Sequence, residues 1–167
     1  TQYLFDDYIT NQARWLLNTS LEVSLNDETA LDIKTARVSD SNYYKDIYQD
    51  ADAGNTLTSY LNLNFEDEES GLKASLYGES KQALNGTANQ YSKSFEVSAE
   101  KTLETRLTPL DASVVATSFS HKDAGKTTGT RMHGELSTDR AYELDSGTMT
   151  TNAFLSTSSY LIDDASN

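Results

Sequence analysis

A period of two dominates the chain. In Leu57-Thr58-Ser59-Tyr60-Leu61-Asn62-Leu63-Asn64-Phe65, the residues Leu57, Leu61, Leu63 and Phe65 share one parity, and Thr58, Tyr60, Asn62 and Asn64 share the other. Successive side chains of a strand point to opposite faces, so such a run has an apolar face and a polar one. The same alternation runs through Leu21-Glu22-Val23-Ser24-Leu25, Leu31-Asp32-Ile33-Lys34, Leu72-Lys73-Ala74-Ser75-Leu76, Phe95-Glu96-Val97-Ser98-Ala99 and Leu110-Asp111-Ala112-Ser113-Val114. It is weaker over 130–136 and 149–157, and helical periodicity is nearly absent. The pattern predicts an all-β chain of about eight strands, at 14–25, 29–38, 56–66, 71–78, 91–100, 110–120, 128–137 and 143–160.

The connections add orientation. Short ones at 26–28, 66–70, 101–109 and 138–142 alternate with longer ones at 39–56, 79–90 and 121–127, which carry Gly, Asn, Asp and Ser as solvated loops do. In an antiparallel up-and-down meander, alternate connections lie at opposite ends of the sheet. Short turns at one end and long loops at the other are the asymmetry of an outer-membrane barrel. The strands also come close to the length that crosses a bilayer when tilted. A soluble meander or sandwich would bury the same apolar face in a core, and alternation alone does not separate the two; the loop asymmetry favours the membrane. Trp15, Tyr91 and Phe95 are expected toward the long-loop end and Phe65 toward the other, as aromatic belts would be.

Composition narrows the function. The hydrophobic fraction is 37%, below the usual globular share of about 45–50%, a figure that also counts glycine. The regular alternation and the tyrosine content argue against disorder all the same. A net charge of −13 argues against nucleic acid, whose phosphates need a basic surface. No apolar run is long enough for a transmembrane helix. Residues 1–10 are polar and acidic rather than signal-like, so the expectation is a leader already removed or an internal segment. Without cysteine there are no disulfides or thiolate metal sites. His121 falls in an expected loop and His133 on a polar strand face; neither has partners at triad spacing, and neither a Gly-x-Ser-x-Gly nor a Walker loop is present. The chain is therefore expected not to be an enzyme. Asp40, Asp46, Asp50 and Asp52 cluster with Tyr43, Tyr44 and Tyr48 in the first long loop. Such carboxylates could bridge divalent cations to lipid headgroups, but their spacing is not that of a calcium loop, and a solvated charged loop is the expectation.

The first forty-odd residues carry a more specific signal. Tyr3-Leu4-Phe5-Asp6-Asp7, then Arg14-Trp15, then Val38-Ser39-Asp40-Ser41-Asn42-Tyr43-Tyr44-Lys45-Asp46 follow in that order. This resembles the LptD family, lipopolysaccharide-assembly proteins of the Gram-negative outer membrane, which tend to carry Tyr-Leu-Pro-x-Asp, Arg-Trp and Val-Ser-Asp-x-x-Tyr-Phe-x-Asp-Phe early in the barrel. Here Phe5 replaces the proline, Tyr44 the first phenylalanine and Ile47 the last. The residues that carry the resemblance are Tyr3, Leu4, Asp7, Arg14, Trp15, Val38, Ser39, Asp40, Tyr43, Tyr44 and Asp46; beyond residue 50 it lies only in strand and loop layout.

The resemblance implies that 1–167 is part of a large transmembrane β-barrel, with a periplasmic jellyroll and the remaining strands elsewhere. It implies delivery of lipopolysaccharide to the outer leaflet without covalent chemistry and with no metal or cofactor. The implied partners are lipopolysaccharide, the plug lipoprotein LptE, the barrel-assembly machinery during insertion, and outer-membrane lipids. On this register Arg14, Glu22, Asp32, Lys34, Tyr60, Asn62, Asn64, Lys73, Tyr77, Glu96, Asp111, Arg131, His133 and Glu135 are expected to face a wet lumen. Leu21, Val23, Leu25, Leu31, Ile33, Leu61, Leu63, Phe65, Leu72, Leu76, Val97 and Val114 are expected to face lipid. The outer edges of the first and last strands are expected to lack partners within 1–167, or to pair with parts of the protein outside it, and not to close on each other. Another outer-membrane porin or adhesin, or a soluble secreted binding domain, are the alternatives.

Overall fold

The computed structural model describes residues 1–4, 12–48, 55–106 and 108–163. They form one antiparallel sheet of nine strands: β1 (Gln2–Leu4), β2 (Arg14–Ser24), β3 (Thr29–Val38), β4 (Thr56–Asp67), β5 (Leu72–Ala83), β6 (Ser92–Leu103), β7 (Leu110–Ser120), β8 (Thr128–Leu144) and β9 (Gly147–Asp163). Each strand pairs with its sequence neighbours, in the order β1 to β9, and the sheet does not close. One short helix, α1 (Tyr43–Tyr48), sits in the first long connection.

Eight of these strands are the eight that alternation predicts; the differences have local causes. β1 is too short to show a period, yet it pairs with β2 through Gln2↔Leu16, Tyr3↔Trp15 and Leu4↔Arg14. The strand beginning at Arg14 therefore has a partner over its first residues. The connection expected at 138–142 is not a loop. β8 and β9 continue through it to Leu144↔Gly147 and turn on Asp145-Ser146 alone, where Gly147 takes a positive φ of 146°. The sequence hides this because Thr138 and Arg140 are polar at positions of the apolar parity. Beyond Asp111↔Ser137 the β8–β9 hairpin has no β7 beside it and overhangs the sheet at the short-turn end.

The ladder fixes which residues share a face, because partners directly opposite project to the same side. Leu31↔Leu63, Leu63↔Leu76, Leu76↔Val97 and Val97↔Ala116 form one continuous apolar row. Asp32↔Asn62, Asn62↔Tyr77, Tyr77↔Glu96, Glu96↔Thr117 and Thr117↔Arg131 form a polar row on the opposite side. The apolar row has no protein against it: Leu61 is 40% and Val97 45% exposed. Buried apolar side chains among the described residues are Ala36, Val38, Tyr43 and Leu84, the last three forming a small core at the long-loop end.

Two irregularities matter later. A bulge between Lys93 and Phe95 shifts the β6–β7 register by one residue, so Lys93 opposes Phe119 and turns to the polar face. And β3 and β4 stop pairing at Lys34↔Tyr60, although β3 runs on to Val38. Side chains take over there. The Ala36 N–H donates to Ser59 Oγ (3.0 Å), whose hydroxyl donates to the Ala36 carbonyl (3.1 Å). The Val38 N–H donates to Gln82 Oε1 (3.1 Å), and Gln82 Nε2 donates to the Val38 carbonyl (2.8 Å).

The β8–β9 pairing predicts one sensitive glycine. A Cβ on Gly129 would stand 2.2 Å from the Leu161 carbonyl oxygen and 3.0 Å from Ile162 Cα, both backbone. Gly129→Ala should therefore pry the long-loop end of the hairpin open, and amides of 128–130 and 161–163 should exchange with deuterium faster than in the parent. A Gly134→Ala control, whose nearest neighbour would be 3.8 Å away, should leave them unchanged.

Candidate functional site

The polar face is the part of the sheet with convergent chemistry. The register sets the fourteen residues expected on the lumen side on this face, and eleven of the twelve expected toward lipid on the other; Leu25 follows the end of β2 and belongs to no ladder. Its centre is a chain of contacts across β3 to β7. The Tyr60 hydroxyl donates to Asp32 (2.9 Å), and the Tyr60 and Tyr77 rings stack at 6.1 Å with 27° between planes. The Tyr77 hydroxyl donates to Glu79 (2.9 Å), which also takes Lys81 Nζ at 2.9 Å and the Lys93 amide at 3.1 Å. Lys93 Nζ lies over the Tyr77 ring and donates to Glu96 (2.7 Å), and Glu96 accepts the Thr117 hydroxyl (2.6 Å). Further along, Ser75 meets Ser98 at 2.7 Å, Arg131 lies over the Tyr160 ring, and Lys73 pairs with Glu66. The face is acidic in count, yet its central carboxylates are matched by lysines and hydroxyls.

Several of these groups escape sequence reading. Glu79 and Lys81 lie past the expected end of their strand at 78. Lys93 has the parity of the apolar residues Phe95 and Val97, and only the bulge brings it to the polar side. The bulge also separates Tyr91 from Phe95: Tyr91 packs edge-on against Phe119 and His121, while Phe95 stays on the apolar face. β9 departs in the other sense, because Phe154 and Ile162 share the polar face with Ser137 and Gly129.

Neither histidine builds a catalytic array. His121 is held between the Asn89 carbonyl at Nε2 (3.0 Å) and the Asp123 N–H at Nδ1 (3.0 Å). His133 meets Ser158 Oγ at 2.8 Å, but Glu135 is 3.9 Å from Nε2, too far to orient the ring by a hydrogen bond.

At the long-loop end the polar face is roofed, and the acidic loop is not simply solvated. Arg14 is 1% exposed. Its Nε and Nη2 grip both oxygens of Asp40 at 2.9 Å, Nη1 reaches Asp46 at 3.2 Å, and the guanidinium lies 5.3 Å from the Tyr43 ring centroid. Only arginine presents this planar fork together with a face to stack. Asp40 also accepts the Asn42 N–H (3.0 Å) and the Ser39 hydroxyl (2.9 Å), a local turn that launches α1. Tyr43 packs on Val38 and Leu84 beside Leu16, Tyr44 and Ile47. Leu16 and Val38 oppose each other on the polar side, so α1 folds over that face. Tyr43, Tyr44 and Tyr48 pack ring to ring, and the Tyr48 hydroxyl donates to Gln2 of β1. Burial raises the Tyr43 and Tyr44 hydroxyls above the ordinary tyrosine range, with Tyr48 adding to it, so both stay neutral.

The residues that carried the resemblance thus meet in one place. Arg14, Val38, Ser39, Asp40, Tyr43, Tyr44 and Asp46 build the latch, and Tyr3 pairs with Trp15 beside it. Leu4 enters through its register with Arg14. Asp7, with Asp50 and Asp52 of the acidic loop, lies outside the described residues.

Removing the arginine should leave two carboxylates under a cover built around its charge. Arg14→Ala is expected to destabilise the loop by about 1–3 kcal/mol, because the hydrogen bonds and packing of a buried guanidinium are lost while the two carboxylates, 36% and 24% exposed, can still turn to water. Limited proteolysis within 39–55 reads it out, and Arg14→Lys should rescue only in part because the two-oxygen grip is lost.

The family model for LptD, LPS transport system D, matches residues 12–167. No curated protein matches the chain. The chain belongs to the LptD family, outer-membrane proteins of lipopolysaccharide transport and not a family of enzymes.

Proposed function

We propose that 1–167 is part of a large barrel whose polar face lines a hydrated bore and whose apolar face meets acyl chains, and that it serves delivery of lipopolysaccharide to the outer leaflet. The observation that carries this reading is where charge stands on the apolar face. The charged strand residues on that side are Arg37, Asp67, Lys101, Arg140 and Asp163. Arg37 and Asp163 adjoin long loops; Asp67 adjoins a short turn, Lys101 nears the end of β6, and Arg140 lies in the overhang. Between the two ends runs an uncharged band, from Leu57 to Phe65 along β4. Hydrocarbon excludes charge from its middle and tolerates it at the interfaces, so this distribution fits a bilayer crossed by tilted strands.

On this reading the polar head of lipopolysaccharide travels along hydroxyls, amides and ion pairs such as those around Tyr60, Tyr77 and Glu96. The acyl tails keep to an apolar route. The unpaired edges of β2 and β9 are intolerable in hydrocarbon, so they pair with further strands of the same barrel. The plug lipoprotein LptE occupies the bore, and the barrel-assembly machinery inserts the protein.

Two measurements test this. In the full-length protein, Leu63→Arg should weaken folding into bilayers by about 2–4 kcal/mol if it lies near the midplane, while Asn62→Arg should be close to neutral; equal costs would overturn the assignment of faces. A photoreactive residue at Tyr77 should capture lipopolysaccharide in growing cells and one at Leu61 should not gain adducts from transport; capture at neither would remove the bore from the route.

A further inference from the structure

The apolar face is not uniform. Near the short-turn end it sinks into an open depression of about 520 Å3 that includes Leu72, Ala99, Ala112, Val114, Gly134 and Leu155. The register explains the shape. Two adjacent rows cross it, Leu72↔Lys101↔Ala112↔Leu136↔Leu155 and Ala74↔Ala99↔Val114↔Gly134↔Thr157. Small side chains at 99, 112 and 134 make the floor, and leucines at 72, 136 and 155 make the walls. Gly134 is not there for backbone reasons: it has no positive φ, and an added Cβ would meet nothing nearer than 3.8 Å. Its bareness adds only room.

Lys101 stands in the first of these rows, among leucines and alanines on the apolar side. It is exposed. Its neighbour of opposite charge on this face is Asp67, at the end of β4 in the same row beyond Leu72. A lysine in such a place extends its ammonium along the strand toward the interface and presents it there. An apolar trough of ligand-pocket size with one cation at its mouth has the polarity of a glycerophospholipid: chain in the trough, phosphate on the ammonium.

We propose that this trough is a specific seat for a phospholipid of the periplasmic leaflet, one acyl chain lying over Ala99, Ala112 and Gly134 and the phosphate held by Lys101. The inference rests on the apolar face being the one in lipid. Its depth, beside the short turns, selects the inner leaflet and hence phospholipid rather than lipopolysaccharide.

The test uses the full-length protein in vesicles of phosphatidylethanolamine and phosphatidylglycerol, with phosphatidylglycerol carrying a photoreactive group in one acyl chain as the probe. Adducts mapped by mass spectrometry should be several-fold denser on trough residues than on the Leu61–Leu63 stripe of the same face. Gly134→Leu and Ala112→Leu, which fill the floor, should bring the trough down to the stripe's level. Lys101→Glu should do the same and Lys101→Arg should retain the excess; each variant is first checked for the heat-modifiable folded form. Equal labelling of trough and stripe in the parent would overturn the proposal and mean ordinary annular lipid. Loss of the excess when lipopolysaccharide is added would overturn it in favour of that lipid. Labelling of neither region, with both open to a water-soluble reagent, would instead sink the underlying assignment of faces.

Discussion

A strand pairs its backbone sideways and sends its side chains up and down, and this chain depends on keeping those two demands in step over nine strands. The sideways demand is met neighbour by neighbour from β1 to β9. The vertical demand is met because a register that opposes Leu31 to Leu63 and Leu63 to Leu76 also opposes Asp32 to Asn62 and Asn62 to Tyr77. A slip of one residue would exchange the faces of a whole strand. Stability here does not come from a protein interior. Among the described residues, buried apolar side chains are few, three of the four gather in one small cluster under a loop, and the long apolar rows lie uncovered.

What was legible in the sequence follows from that coupling. Alternation is a local property of the chain, so Leu57 to Phe65 announces its strand and both its faces without any knowledge of neighbours. The overhang of β8 and β9 was not legible, because Thr138 and Arg140 interrupt the pattern where no third strand lies beside them. The face of Lys93 was not legible either, because a bulge is a relation between two strands. Arg14 had the right face and the wrong surroundings: its parity could be read, but the closing of Asp40 and Asp46 onto it from 26 and 32 residues away could not. The motif that pointed to the family held all three residues, and their meeting gives that motif a physical role, a charged clasp holding an aromatic loop over the polar face.

The polar face and its roof differ in kind. At the centre of the sheet Asp32, Glu79 and Glu96 each have hydroxyl or ammonium partners and are partly covered by them, and the contacts run across the five strands β3 to β7. In partly covered pairs of this sort desolvation offsets much of the Coulomb attraction, so they are better understood as a hydrogen-bonding lining than as struts. Arg14 is the reverse: enclosed, gripped at three nitrogens and expensive to disturb.

The gap between β3 and β4 has its own consequence. Above Lys34 and Tyr60, β3 is joined to its neighbours by the hydroxyl of Ser59, the amide of Gln82 and the Arg37 guanidinium on Ser80 rather than by a backbone ladder, and the Asn85 N–H on the Ser41 carbonyl (2.8 Å) closes the end. Backbone pairs come undone only by fraying from an end or by shifting a whole strand. Side chains come undone by turning about their own bonds. At this one height the sheet is therefore held by side chains that can turn and by the small cluster of Val38, Tyr43 and Leu84 packed beside them, so its fastening there is a matter of packing and rotamers more than of ladder pairing.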